Sequence, residues 1–372
     1  MTPLHKTCLL QSGLADKYSP LYLLSAVGAG GLSVSFFIWL MFLTPHPGVP
    51  VATADSLMAW LSRADAWAFA GTLLAWGAAL LLGVTQFLLL GWNVREYALF
   101  KKSPGWARLH QSNAVVQKLA WPLALAMGMN AGFVFALLAV PGLWSVIEYI
   151  FPIAIAGFVL IGGHALLLIA RILGDKLSSG GFDCGKNNSF SMMLPAFALS
   201  MVAVGLSGSA AMSQNPATVL VAFSLSAFFL TLSVLSAFVY ALKGLNALFS
   251  QGASPETSAT LWVGVPIATL VAITLYRLAM SASHHFAVEV PAVLLLGVFV
   301  AALAVQTMFL TLGWAVMRKN GALVQAFKHP TPLSFALVCP GVGFFVLLQF
   351  FLFKGVLPLI PNAGSGVLLM AY

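Results

Sequence analysis

PLYLLSAVGAGGLSV (20–34), PLALAMGMNAGFVF (122–135), PAFALSMVAVGLSG (195–208), PIATLVAITLYRLA (266–279) and PLSFALVCPGVGFF (332–345) are five apolar segments that each open with proline and carry small residues about ten positions later. Glycine holds the tenth position after the proline in the first three, as Gly30, Gly132 and Gly205, and Gly341 and Gly343 flank it in the fifth. The fourth departs, with Tyr276 and Arg277 there. In a membrane helix a glycine either admits a neighbouring helix closely or leaves a lumen that a larger side chain would fill. Proline removes a backbone hydrogen bond and bends a helix, which lipid tolerates only where protein or water satisfies the freed carbonyl. Both residues are also simply common in membrane helices.

The setting is a membrane. Of 372 residues 60% are hydrophobic and 7% charged, against about 25% charged in an ordinary soluble domain. That excludes a water-soluble globule, and a disordered chain needs the opposite composition. A crossing helix takes about 20 apolar residues. Such stretches occur near 20–44, 66–92, 117–139, 143–172, 191–212, 216–242, 259–281, 288–316, 332–353 and 356–371. The last is short and broken by Pro358 and Pro361. The first is too long for a secretory signal and lacks a small-residue cleavage site, so it reads as a helix. The expectation is an all-α integral membrane protein: residues 1–19 as a cytoplasmic N-terminal segment, then 20–372 as a single ten-helix transport domain. Its five hairpins form a quasi-fivefold ring, with odd helices lining a central pore and the Phe- and Leu-rich even helices facing lipid.

Charge supports the count. With the N-terminus in the cytoplasm, 14 of the 17 basic residues fall on the cytoplasmic side, and only Arg63, Arg277 and Lys354 fall opposite. This is the positive-inside asymmetry, and it places both termini in the cytoplasm. The net charge of +8 is spread between apolar segments, so it does not read as a nucleic-acid surface. Cys8, Cys184 and Cys339 match no disulfide or metal spacing. No carboxylate pair, nucleophile triad, nucleotide loop or zinc motif appears, so neither an enzyme nor a cofactor is expected. Movement of a solute would be passive or ion-coupled.

Arg277 is the most informative polar residue. An ionisable group inside a crossing is costly and marks function by default, and a guanidinium offers a bidentate partner to an oxyanion. Lying near the SASHH turn, it can equally snorkel to the interface. Asn130 could donate to a passing anion or bond a bent backbone, and Ser25, Ser33, Ser207 and Thr269 are weaker members of that set. His164 reads as a packed histidine or a proton relay. Glu148 and Glu289 read as interfacial, with Arg277 as a potential partner. Cys184 is either inert or reactive.

On the inner-helix pattern and topology, the chain resembles the tellurite-resistance and dicarboxylate transporter family, which includes the bacterial TehA-like proteins and plant slow anion channels, and somewhat its TsoY-like branch. The resemblance implies ten helices in five hairpins around a pore, a homo-oligomer (a trimer in many members), and residence in a bacterial inner membrane. In the family a phenylalanine beside a proline on the ninth helix blocks the pore. Here Cys339, before Pro340, stands in that place, with Phe335, Phe344 and Phe345 about a turn away. Cys339, Phe335 and Phe344 are therefore gate candidates. The expected function is a channel or secondary transporter for a small anion: a dicarboxylate, sulfite, halide or tellurium oxyanion. The alternatives are a membrane redox protein using haem, a quinone or thiols, and a non-transporting partner subunit.

Overall fold

Each of the five proline-headed segments enters its helix through a tight 3-10 turn. Pro20–Tyr22 precedes α1 (Leu23–Leu43). After the short α2 (Ala54–Leu61), the long α3 (Ala66–Phe100) and the short α4 (Pro104–Gln111), the turn Asn113–Leu119 leads into α5 (Ala120–Ala139). Then follow α6 (Ile147–Ser179), the turn Phe190–Met193 and α7 (Leu194–Met212), and α8 (Pro216–Gln251). The turn Ser258–Val263 leads into α9 (Gly264–His285), followed by α10 (Ala292–Lys319) and the short α11 (Ala322–Lys328). Finally Pro332–Leu337 leads into α12 (Val338–Phe350). This is a computed structural model that describes residues 10–179, 190–255, 257–328 and 332–360. Among the described residues there is no strand, and nine helical segments are long and apolar enough to cross a membrane, as in a multi-pass all-α membrane protein.

Pro122, Pro195 and Pro266 occupy the second or third position of α5, α7 and α9, just past the junction with the preceding 3-10 turn. The bend expected from them is therefore a change from 3-10 to α at the helix start, not a kink in mid-crossing. In α12 the residue in this position is Pro340, while Pro332 heads the 3-10 turn before it, as Pro20 does before α1. The ninth crossing also runs on past 353. A π-helical turn (Phe351–Val356) and a 3-10 turn (Leu357–Leu359) carry the chain through Lys354 without a break. The expected tenth crossing, 356–371, lies outside the described residues from position 361 onward.

Most inner crossings are more buried than the outer ones: 89% of the most apolar stretch of Phe190–Met212 is buried against 17% for Ala292–Lys319, but Val338–Leu359, at 33%, is no more buried than Pro216–Gln251. The outer helices show large apolar side chains such as Trp67, Leu74, Leu160, Phe238 and Leu294 on their surfaces, as lipid contact requires. Contacts run from α1 to α5, α5 to α7, α7 to α9, α9 to α12, and α12 back to α1. Small residues permit this closeness: Gly28 and Gly31 of α1 meet Val338 and Val342 of α12, and Gly343 meets Pro266 and Thr269 of α9. Hydroxyls and amides stitch the layers together. Ser33 donates to Ala79 O (2.7 Å), Ser226 to Ala203 O (2.9 Å), Ser233 to Ala196 O (2.8 Å), and Gln306 Nε2 to Thr269 Oγ1 (2.7 Å) and Val265 O (3.1 Å). Such bonds average about 0.6 kcal/mol each in membrane proteins.

The segment before α1 is fastened to α3 and α4. The buried Glu96 carboxylate accepts from the amides of Gly13 (2.9 Å) and Leu14 (2.8 Å), and Tyr18 donates its phenol to Asn93 Oδ1 (2.8 Å). Burial pushes the Tyr18 phenol well above its usual range, so it stays a neutral donor. Asp16 pairs with Arg108, whose hydrogen bond holds the Asp16 carboxyl below its ordinary value.

Candidate functional site

A cavity of about 450 Å³ lies among the inner helices, with walls drawn from α1, α5, α7, α9 and α12 and from the first half of α6. Along α7 it runs from Phe197 to Met212, about 22 Å at 1.5 Å per residue. The walls are mostly aliphatic, aromatic and thioether groups. The polar exceptions are Asn130, Ser209, Thr269 and Arg277, with the weakly polar Cys339.

Arg277 turns inward. Its Nη1 donates to Val204 O across the groove on α7 (3.0 Å). Gly208 lies beside it, where a Cβ would make an ordinary contact of 3.6 Å with the same nitrogen. That bond uses one of five guanidinium N–H groups. Among the described residues the only ion pair joins Asp16 and Arg108, so Arg277 has no carboxylate partner there. Glu148, a potential partner from sequence, is occupied by Ser213 Oγ and the Gln214 amide (both 2.7 Å). Glu289 is exposed on the turn before α10.

Asn130 grips α7 from the other side. Its Nδ2 donates to Ala126 O (3.0 Å) and Met201 O (3.3 Å). Both partners are carbonyls, which fixes the amide orientation and leaves Oδ1 as an acceptor on a cavity-lining residue. Thr269 donates to Gly343 O (2.8 Å) and accepts from Gln306. Ser209 lines the cavity with no hydrogen-bond partner for its hydroxyl among the described residues.

The glycines are largely filled from outside. The Gln86 side chain of α3 occupies the space beside Gly30, the Phe158 ring of α6 that beside Gly205, and Phe87 lies 3.3 Å from where a Gly132 Cβ would be. Gly132 and Gly205 still line the cavity, but Gly30 is not among its lining residues. Neither are Ser25, Ser33 and Ser207, whose hydroxyls bond the carbonyls of Tyr22 (2.7 Å), Ala79 (2.7 Å) and Val204 (2.8 Å).

A second, smaller space of about 30 Å³ lies at the face where the chain enters α1, lined by residues such as Leu21, Leu24, Leu194 and Val263. Phe197, Pro266 and Cys339 line both spaces, so the two adjoin there, at a junction termed the neck. Of the gate candidates, only buried Cys339 is at this neck. Phe335 is exposed and packs near Tyr22 (ring centroids 6.3 Å apart), and Phe344 lies outside the cavity lining. The aromatic at the neck, Phe197, comes instead from α7. Nothing in its local sequence sets it apart from the other phenylalanines. His164 is exposed on the outer helix α6, and Cys184 lies outside the described residues.

No protein-family model matches this chain, and a search of curated proteins gives no match.

Proposed function

We propose that this chain carries a small anion across a membrane, as a channel or secondary transporter, with the path running through the cavity enclosed by α1, α5, α7, α9 and α12. In this reading the five helices are the inner ring of five hairpins, the N- and C-termini are cytoplasmic, and the neck at Phe197, Pro266 and Cys339 closes the cytoplasmic end. The membrane is a bacterial inner membrane and the assembly a homo-oligomer, by resemblance a trimer. One observation carries the anion assignment: Arg277 is a permanent cation on the wall of an apolar cavity, with one hydrogen bond to a backbone carbonyl and no carboxylate among the described residues to neutralise it. A cation in such a place is costly unless an anion compensates it.

The test is flux. Proteoliposomes are loaded with chloride, sulfite, a four-carbon dicarboxylate or a four-carbon monocarboxylate, and efflux is compared between wild type and Arg277→Gln. Hydrogen bonds to charged groups contribute about 1.5–3 kcal/mol, so flux of the favoured anion falls at least about tenfold. Equal flux in a folded variant defeats the assignment. A protein that serves only as a partner subunit gives no flux with either form.

A further inference from the structure

We propose that the occupant of the cavity is a monovalent anion with an apolar body, such as an aliphatic carboxylate or sulfonate, and not a dicarboxylate or a bare inorganic ion. This rests on the anion reading of Arg277 given above and narrows it by class.

Three observations define the class. The first is the count of charges. Arg277 is the only charged residue among those lining the cavity, so one anionic head is neutralised and a second is not. The second is the kind of polar group left over. Asn130 spends both donors on Ala126 O and Met201 O, so what it retains is an acceptor that repels a second carboxylate. Thr269 spends its hydrogen on Gly343 O. Free donors reduce to the remaining guanidinium N–H groups and the Ser209 hydroxyl, enough for one head. The third is size against wall chemistry. At about 450 Å³ the space falls in the range that holds organic ligands. A lone halide would leave most of it as apolar-walled space that water does not favour. An alkyl or aryl body covers those walls and gains the transfer free energy of every carbon buried.

The side wall fits the same class. Ile153 of α6 lines the cavity and is 72% exposed at the outer surface. α6 leans on α7 more than on its sequence neighbour α5. The apolar α6 side of the cavity thus adjoins the surface that faces lipid, and the single charge comes from α9.

The experiment is calorimetric titration of the full chain in zwitterionic nanodiscs. The ligands are straight-chain monocarboxylates of two to eight carbons, the matching α,ω-dicarboxylates, chloride and sulfate, with empty nanodiscs subtracted. The expected result is affinity that tightens up to about fourfold per methylene until the chain fills the cavity, with each dicarboxylate at least tenfold weaker than the monocarboxylate of equal length. Arg277→Gln weakens every monocarboxylate by one common factor and keeps the slope. Ala154→Phe, which narrows the cavity from the α6 wall, moves the plateau to shorter chains. Arg277-dependent binding of chloride, sulfate or dicarboxylates with no gain from chain length overturns the proposed class while leaving the anion reading standing. Binding that ignores Arg277 for every ligand overturns both.

Discussion

The wide part of the internal space and its narrow end are built from the same inner helices but differ in kind. The wide part holds about 450 Å³ and has Arg277, Asn130 and Ser209 on its walls; the narrow end holds about 30 Å³, with no charged residue among those lining it. Phe197, Pro266 and Cys339 stand between them. Under the transport reading, recognition of charge and closure of the path are therefore set at different levels of the same helices and can be changed separately. The sharpest break is Phe197→Ala. Removing a buried ring from the neck joins the two spaces. Lowering the barrier by only ~1.4 kcal/mol raises flux about tenfold, while the preference among anions, set at Arg277, stays as in wild type. The same truncation costs about 3–5 kcal/mol of stability, so flux is normalised to monodisperse protein. Unchanged flux places the closure elsewhere, and altered anion preference joins the two functions that the comparison separates.

A second prediction concerns the wide part alone. The Phe158 ring of α6 occupies the space beside Gly205 of α7, so Gly205→Leu must expel it. Overpacking of this kind costs typically about 1–3 kcal/mol. The expected outcome is a lower midpoint of thermal unfolding and a smaller cavity, with thiol reagents still reaching Cys339 to the wild-type extent. An unchanged midpoint means that α6 does not pack on α7 in this way.

How far the sequence could be read follows from which forces act locally. The apolar crossings were legible because composition is a one-dimensional signal, and Gly28, Gly31 and Gly343 stood out because they had to be small for α1, α9 and α12 to approach. Arg277 and Asn130 stood out because polar groups are expensive in a crossing. What the glycines face was not legible. Gly30 and Gly205 take Gln86 and Phe158 from the outer layer, and nothing in α1 or α7 encodes which way an outer side chain leans. Pro332 and Pro340 are both prolines in an apolar run, and the sequence does not show that the first heads a 3-10 turn and the second lies in the first turn of α12. Phe197 had no distinguishing mark at all, because a neck is made by three helices meeting and by no one of them alone.

The smallest expected effect lies at the narrow end, in the segment that leads to it. Leu21 lines the small space, and three residues earlier the chain is tied down by Tyr18 on Asn93, by Asp16 on Arg108 and by the Gly13 and Leu14 amides on Glu96. The Asp16 carboxyl has its value lowered in the folded state from 3.8, chiefly by the Arg108 hydrogen bond. A depressed carboxylate contributes stability that is fully present above its unfolded value and is lost as pH falls through its folded one. The tie therefore holds at neutral pH and is released only below about pH 3.8. Because the pair is exposed, solvent and salt screen it, and the consequence is local. Glu96 also carries a carboxyl in this cluster, so the measurement is a difference between forms. Amide hydrogen exchange over residues 11–18 is faster in Asp16→Asn than in wild type at pH 7, and the difference closes as the pH is lowered below 3.8. No difference at pH 7 assigns the fastening to Glu96 and Tyr18 alone, and a difference that persists in acid overturns the role of the Asp16 charge. A rise in flux with Asp16→Asn at pH 7 shows that loosening this segment is felt at the neck through Leu21.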